Sequence, residues 1–353
     1  MTASRLRIVV TADPEIPVPP SHYGGIERIV HLLVVGLESR GHKVYLFAHP
    51  DSQAPATLIP YPGRSSRSAV DTAMNALYVK KILGKLGRVD IVHSFSRLAY
   101  LFFLMGVKIP KIQSYQRSVT PRSIRWGNFL ADGSLAYTAC SAYCAGTADA
   151  ARASWSIIPN GVPLEQYRFR GEVPSDAPLV FLGRLERIKG AHAAIDVAER
   201  TGRRLKIAGN HAPSGEGHRY FSKEILPRCD GDRIEYLGPV EDVQKNDLLG
   251  NASALLFPVE WEEPFGIVMA EALACGTPVI GFGRGAVPEV IEDKITGFLC
   301  RTPEDMVRAV SGLSAIDRKN CRRAAEKRFS DSVVVDQYEK LYYSCLKNQP
   351  SVS

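Results

Sequence analysis

No run in this 353-residue sequence approaches the roughly 20 consecutive apolar residues that a membrane-spanning helix requires. The first residues lead straight into a short strand-like run at 6–11, too brief and too quickly broken for a secretory signal. A cytoplasmic protein is therefore expected. CxxC pairs are absent. The seven cysteines (140, 144, 229, 275, 300, 321 and 345) are scattered and odd in number, which predicts reduced thiols rather than a disulfide framework. Cys140 and Cys144 have the spacing of a shared helix face, but no histidine cluster beside them completes a metal site. There is no internal repeat and no low-complexity tract. A basic surface interleaved with aromatics, as nucleic-acid binding requires, is also missing, so no nucleic acid is expected as a partner.

What the chain does have is an ordinary globular composition. Hydrophobic residues make up 45% and charged residues 23%, enough apolar surface for two cores in a chain of this length. The net charge of +7 is unevenly spread. Residues 1–157 hold 18 Lys and Arg against 9 Asp and Glu, whereas residues 158–353 hold 26 against 28. A basic first half beside a nearly neutral second half predicts different partners for each, unless the charge is only a solvated surface.

The hydrophobic pattern alternates between periods of two and 3.6 residues. Strands are predicted at 7–11, 44–48, 91–93, 111–114, 137–140 and 156–158, and helices at 26–39 and 71–86. In the helix at 26–39, apolar residues at 26, 29, 30, 33, 34 and 37 form one stripe, and Gly41 ends it. A turn at Pro159-Asn160-Gly161-Val162-Pro163 and a stretch rich in small residues at 171–178 separate this half from a second alternation. There, strands are predicted at 179–182, 205–208, 234–237, 254–257, 278–281 and 297–300, with helices at 192–200 and 265–274. The fold class is α/β, with two doubly wound domains: residues 1–158, joined by a C-terminal helix at 332–348, and residues 159–331.

In such sheets ligands bind beyond the carboxyl ends of the strands, and four segments fall there. Tyr23-Gly24-Gly25-Ile26-Glu27-Arg28 opens the first helix. Gly24 and Gly25 let the backbone approach a ligand, and free helix-start N–H groups favour an anion; a tight turn with a cap is the plainer reading. In the second segment, Gly183 to Gly190, Arg184 and Lys189 form a pair of cations suited to a diphosphate, or else two solvated surface charges. In the third, Glu263 to Glu271, Pro264 suits a first helical turn, and eight residues separate the two carboxylates by roughly 12 Å along a helix. The N–H groups of Phe265, Gly266 and Ile267 would serve as donors there. Glu271 lies in an otherwise apolar helix and needs a partner. The fourth, Gly281-Phe282-Gly283-Arg284-Gly285-Ala286, matches the dinucleotide fingerprint, but no acidic residue ends a well-placed second strand.

Together these segments resemble the glycosyltransferase group that includes phosphatidylinositol mannosyltransferases and sucrose-phosphate synthases: retaining GT-B enzymes of family 4, group 1 type. The residues carrying the resemblance are Gly24 to Arg28, Pro159-Asn160-Gly161-Val162, Gly183-Arg184 with Lys189-Gly190, and Glu263 to Glu271 followed by Gly276-Thr277-Pro278-Val279. Gly285 to Glu289 and Thr296-Gly297 add to it. The resemblance implies two Rossmann-like domains facing across a cleft, with the last helix returning to the first domain. It implies transfer of a hexose-type sugar from a UDP-, GDP- or ADP-linked donor, with no metal and no cofactor. Arg184 and Lys189 would neutralise the diphosphate, Glu271 would bind the ribose and Glu263 the hexose. The base would lie near Asn210 and Val240, and Gly25 would approach the diphosphate.

The first domain departs from the family pattern. Where many relatives carry Asp-x-x-His-x-His, this chain reads Asp90-Ile91-Val92-His93-Ser94-Phe95. His93 is the remaining catalytic candidate, either as a ligand contact or as a satisfied core histidine. Arg117, Arg122 and Arg125 lie in a basic stretch where the acceptor would enter, which predicts an anionic acceptor or lipid headgroups. Lys80, Lys81, Lys85 and Arg88 would line an exposed helix face. Two other readings remain: a non-catalytic nucleotide-sugar binding protein, and a dinucleotide-dependent oxidoreductase.

Overall fold

The computed structural model describes residues 5–20, 24–131, 133–148 and 153–347. Tyr23 and residue 348, the end of the expected last helix, lie outside them. The chain divides into two compact units, one of residues 1–161 with 331–353 and one of residues 162–330.

The first unit is built on a parallel sheet ordered β3-β2-β1-β4-β5-β6-β7. At its centre β1 (Arg7–Thr11) pairs with β2 (Lys43–Ala48) on one side and β4 (Ile91–Ser94) on the other. Both faces of these strands are covered, which is why they read as nearly continuous apolar runs. The helix α1 (Gly25–Ser39) buries the stripe Ile29, Val30, Leu33, Val34 and Leu37, and Gly41 follows it in a left-handed conformation. The sequence pattern does not announce the edge strand β3 (Thr57–Pro60); it is four residues long and ends on a proline, the weak pattern of a sheet edge.

The helix α2 (Ala69–Leu83) starts at a Ser68 cap, whose hydroxyl accepts from Asp71 N at 3.2 Å. It ends three residues earlier than its pattern predicts. Lys85 and Arg88 therefore lie beyond the helix, and Arg88 Nε donates to Asp90 Oδ1 at 2.8 Å. A 3₁₀ segment (Leu98–Leu104), β5 (Lys111–Tyr115), α3 (Pro121–Ala131), β6 (Leu135–Ala139), α4 (Ala142–Gly146) and β7 (Trp155–Ile157) complete the order. Val79, Leu83, Leu101, Leu104 and Ala131 join Val9 and Val92 in one core, so α2, the 3₁₀ segment and α3 share a face of the sheet. Cys140 sits in the turn before the α4 cap Ser141, not on the helix with Cys144 as its spacing suggests, although the two thiols still interact. All seven cysteines are free.

The second unit repeats the plan with a parallel sheet ordered β10-β9-β8-β11-β12-β13. The central strand β8 (Leu179–Leu182) lies between β9 (Leu205–Ala208) and β11 (Ala254–Phe257). Outward from these lie β10 (Ile234–Gly238), β12 (Val279–Phe282) and β13 (Gly297–Cys300). The connecting helices are α5 (Ala191–Thr201), α6 (Gly215–Tyr220), α7 (Asp242–Gly250), α8 (Ile267–Ala274) and α9 (Val287–Val290), followed by α10 (Pro303–Ser311) and α11 (Arg318–Arg328). The helix predicted from residue 265 begins only at Ile267. Gly266 precedes it in a left-handed conformation (φ 79°), so Pro264 is not in its first turn. The 12 Å rise expected between Glu263 and Glu271 therefore does not apply.

The last helix, α12 (Asp331–Lys347), returns to the first unit and packs against α1. Gly36 of α1 leaves room for Val335, which a Cβ would strike. Tyr338 and Tyr342 are almost wholly buried, and an aromatic of this size contributes about 1.5–3 kcal/mol when buried. Arg40 Nη1 donates to Glu339 at 2.7 Å on the same seam. Among the described residues no helix is long and apolar enough to cross a membrane.

Candidate functional site

Strand order reverses between β8 and β11, so the loops after these two strands flank the switch point of the second sheet. Arg184 follows β8, and Lys189 ends a 3₁₀ turn (Arg187–Lys189) leading into α5. Gly190 next to it is left-handed (φ 78°), and a Cβ there would collide with the Pro258 carbonyl after β11. That close approach brings Lys189 to the loop carrying Glu263, 74 residues away. Lys189 Nζ lies 2.7 Å from Glu263 Oε2 and 4.5 Å from the centre of the Trp261 ring, while Trp261 Nε1 donates to the same Oε2 at 3.0 Å. Arg184 Nη1 is held by Glu186 Oε1 at 2.5 Å.

Glu271, on the buried side of α8, has the partner its surroundings require. Its Oε1 accepts from Lys245 Nζ at 2.6 Å and from the Tyr167 hydroxyl at 2.8 Å. Burial and the adjacent carboxylate push the Tyr167 phenol far above its ordinary range. In each glutamate the chain's own contacts fall on one oxygen. Among the described residues the other oxygen, Oε1 of Glu263 and Oε2 of Glu271, has no hydrogen-bond partner in the chain. Two oriented carboxylates, each with a free acceptor, suit two sets of ligand hydroxyls.

The neighbouring elements supply the rest of this surface. Gly266, Ile267 and Val268 are half-buried at the start of α8, while the Phe265 ring is buried against Phe329 with centroids 5.7 Å apart. Asn210 is exposed after β9 and Val240 is half-buried after β10, on adjacent strands. Lys245, Tyr167 and Trp261 carry no motif that would mark them in the sequence. The glycine-rich segment after β12 serves the packing of the chain itself. Gly285 is left-handed (φ 58°), and a Cβ there would strike the Glu263 backbone. Ala286 N donates to the Glu263 carbonyl at 2.8 Å. The close approach of the Glu263 backbone accounts for the glycine at 285 without a dinucleotide. Among the described residues no group of three His, Cys, Asp or Glu side chains is placed to hold a metal ion.

In the first unit the switch point lies between β1 and β4. Asp13 follows β1, and its carboxylate lies 3.9 Å from Arg117 Nη2. Burial and Glu15 raise the Asp13 carboxyl to about 6, against the lowering effect of Arg117 and Arg97. A cavity of about 230 Å³ opens beside it at the ends of β4 and β5, lined by Arg97, Gln113, Tyr115, Gln116 and Arg117 among others. Gly24 caps α1 and Gly25 begins it. Glu27 in its first turn is buried, and burial raises its carboxyl.

His93 does not hold the catalytic position expected for it. It is fully buried, its Nδ1 is 2.7 Å from the Tyr342 hydroxyl and its Nε2 is 2.7 Å from Ser114 Oγ. Burial lowers it to about 3, which keeps the ring neutral. It is a core histidine that helps seat α12, with the centre of the Phe95 ring 4.4 Å from its own. The basic stretch from Arg117 onward also divides. Arg117 lines the cavity, whereas Arg122 and Arg125 lie on the exposed face of α3 with Trp126 (54% exposed) and Phe129 (79%).

Comparison with known proteins finds a different family model for each half of the chain. A family model described as Glycosyl transferases group 1 matches residues 165–328, and one described as Glycosyltransferase Family 4 matches residues 23–166. N-acetyl-alpha-D-glucosaminyl L-malate synthase of Bacillus anthracis is 34% identical over 125 residues, covering 33% of this chain and 32% of that protein. The phosphatidyl-myo-inositol mannosyltransferase of Propionibacterium freudenreichii subsp. shermanii is 28% identical over 312 residues, 76% of each chain. Among solved structures, AviGT4, a glycosyltransferase involved in avilamycin A biosynthesis, superposes with a TM-score of 0.72 at 26% identity, covering 97% of this chain and 98% of that one. Several curated relatives are matched over only part of their length, 32%, 52% and 44% in three of them.

Proposed function

Because this chain belongs to the group 1, family 4 glycosyltransferases, we propose that it moves a hexose-type sugar from a nucleotide-diphosphate sugar to an anionic or membrane-associated acceptor, with retention and without a metal ion. The observation that carries this reading is the pair of glutamates, each anchored to a lysine through one oxygen and open at the other. Glu271 Oε2 would take the ribose hydroxyls and Glu263 Oε1 those of the hexose. Arg184 and Lys189 would meet the diphosphate charge, which grows as the sugar departs. Asn210 and Val240 flank the place proposed for the base. Phe265, Gly266 and Ile267 would contribute through their backbone.

In the proposed step the bond from the anomeric carbon to the phosphate oxygen breaks. The acceptor oxygen bonds to the same face, and the acceptor proton passes to the departing phosphate. No protein base is required, in keeping with the burial of His93. The test is donor consumption in excess chelator: turnover of one UDP-, GDP- or ADP-sugar supports the reading, and none with any of them overturns it.

The exposed face of α3 sets Arg122 and Arg125 beside Trp126 and Phe129. Cations with exposed aromatics complement an anionic bilayer, and peripheral contact there is the proposed membrane role of this unit. Sedimentation with phosphatidylglycerol vesicles should exceed that with phosphatidylcholine vesicles. It should fall at least several-fold in Trp126→Ala/Phe129→Ala; equal binding to both vesicles, or no effect of the variant, would exclude this face.

A further inference from the structure

We propose that His192 is a positioning residue of the donor site: through Glu260 it holds the loop bearing Glu263 in register with the turn bearing Lys189. The proposal rests on the donor-site reading and adds to it a residue that makes no hydrogen bond to Lys189 or Glu263 among the described residues.

His192 lies in the first turn of α5, just beyond Lys189. Its Nε2 is 3.1 Å from Glu260 Oε1, and its Nδ1 is 2.9 Å from the Tyr220 hydroxyl. These partners fix the place of the proton. A carboxylate only accepts, so Nε2 carries the hydrogen, and Nδ1 of the neutral ring is left to accept from Tyr220. The phenol suits that role. Burial pushes it up to about 12, so it keeps its proton, while its oxygen accepts from His192 N at 3.1 Å. One buried hydroxyl thus holds both the backbone and the ring of His192.

Tyr220 also anchors the other side of Lys189. The Arg187 guanidinium lies 5.2 Å from the centre of the Tyr220 ring and pairs with Glu224. The two residues that bracket Lys189, Arg187 and His192, are therefore both fastened to the end of α6. From there the chain Tyr220–His192–Glu260 crosses to the loop after β11. Glu260 N donates to the Ile188 carbonyl at 2.8 Å, and Arg284 Nη1 donates to the Glu260 carbonyl at 2.9 Å. Glu260 is where the Lys189 turn, the loop after β11 and the turn after β12 meet, one short step before Glu263.

Lys189 and Glu263 also meet directly, but a diphosphate draws on the same ammonium that Glu263 Oε2 holds, so that pair slackens as the donor binds. The His192–Glu260 contact shares no atom with it. It keeps the two loops in register while charge grows on the departing phosphate. Its side chains are 19% and 37% exposed, so losing the contact has little effect on folding.

The test compares His192→Leu, His192→Gln and Glu260→Ala in the full chain. Glutamine at 192 offers an N–H to Glu260 and an oxygen to Tyr220; leucine offers neither. With the donor sugar that the wild type consumes, His192→Leu should lower kcat about 10-fold and leave the Kd of the matching nucleoside diphosphate within about 2-fold. His192→Gln should return kcat to within about 3-fold of wild type. Melting temperatures should stay within about 3 °C of wild type. Adding Glu260→Ala to His192→Leu should bring no further loss. Hydrogen exchange needs no turnover: the Glu260 amide should exchange at least about 5-fold faster in His192→Leu and at the wild-type rate in His192→Gln. Wild-type kcat in His192→Leu, equal losses for leucine and glutamine, losses that multiply in the double variant, a melting temperature that falls with kcat, or unchanged exchange would each overturn the proposal. Loss of the donor reading registers separately: the wild type consumes no donor sugar while exchange at Glu260 still depends on His192.

Discussion

Lys189→Ala is expected to lower kcat by about 10²- to 10³-fold, the loss that follows removal of one preorganised donor from a developing negative charge. The lysine is held in place before any ligand arrives. Glu263 Oε2 at 2.7 Å and the Trp261 ring at 4.5 Å fix its ammonium from two sides, and the left-handed Gly190 lets its turn lie against the Pro258 carbonyl. A preoriented cation stabilises charge without rearranging during the reaction, which is why the loss should appear in turnover more than in folding. Kinetics with the cognate donor, set beside thermal unfolding, would separate these effects. Near-wild-type kcat would remove Lys189 from the diphosphate site. A collapse of stability matching the lost activity would reduce its role to packing.

Glu271→Ala should be the most damaging single change to the second unit. It removes the acceptor of the Tyr167 hydroxyl and one of two carboxylates on Lys245, whose side chain is only 10% exposed and whose other partner is Asp242 Oδ1 at 3.1 Å. Breaking a buried pair by removing one partner costs about 3–5 kcal/mol, and the remaining contact to Asp242 should hold the loss to the lower end of that range. Removing both charges should recover most of that. Glu271→Ala/Lys245→Met is therefore expected to unfold close to wild type while still binding the nucleotide weakly, because the ribose acceptor is gone. Denaturant unfolding with calorimetric titration of the nucleoside diphosphate would distinguish the two roles. Full nucleotide affinity in the double variant would make Glu271 purely structural.

These two residues also show how far the sequence can be read. Strands with covered faces announce themselves as apolar runs, so the pattern predicts β8, β9, β11 and β13 at the bounds the structure gives them. The apolar stripe of α1 is equally plain. Boundaries set by tertiary contacts are not. The start of α8 is decided by the left-handed Gly266, where a Cβ would meet Met269 and Phe257, and no local pattern reports that. The need of Glu271 for a partner is evident from its apolar neighbours. That the partners are Lys245 and Tyr167 is not, because they come from distant points in the chain and carry no motif. His93 is ambiguous in sequence for the same reason: only the packing of α12, with Tyr342 against Nδ1, resolves it as a core residue. The glycines after β12 match a dinucleotide fingerprint because close backbone approach needs glycine whatever approaches. Here it is the Glu263 backbone, so the same signal has a different cause.

The acceptor side is legible only as charge. The basic stretch from Arg117 to Arg125 reveals its sign, but not that one arginine lines a cavity while two lie on an exposed helix. Arg97 is not marked by any pattern, and it becomes significant only because β4 and β5 bring it to the same cavity as Gln113 and Gln116.

The most direct measurement is thermal unfolding with saturating UDP-, GDP- and ADP-sugars in excess EDTA, with donor consumption followed in the same samples. A ligand at 100 times its Kd stabilises by about 2.7 kcal/mol, or roughly 5–10 °C for a unit of this size. At least one donor should produce that shift and be consumed without metal. If no donor shifts the transition, or the shift and turnover appear only when a divalent ion is restored, the two-cation, two-glutamate account of the donor site is contradicted.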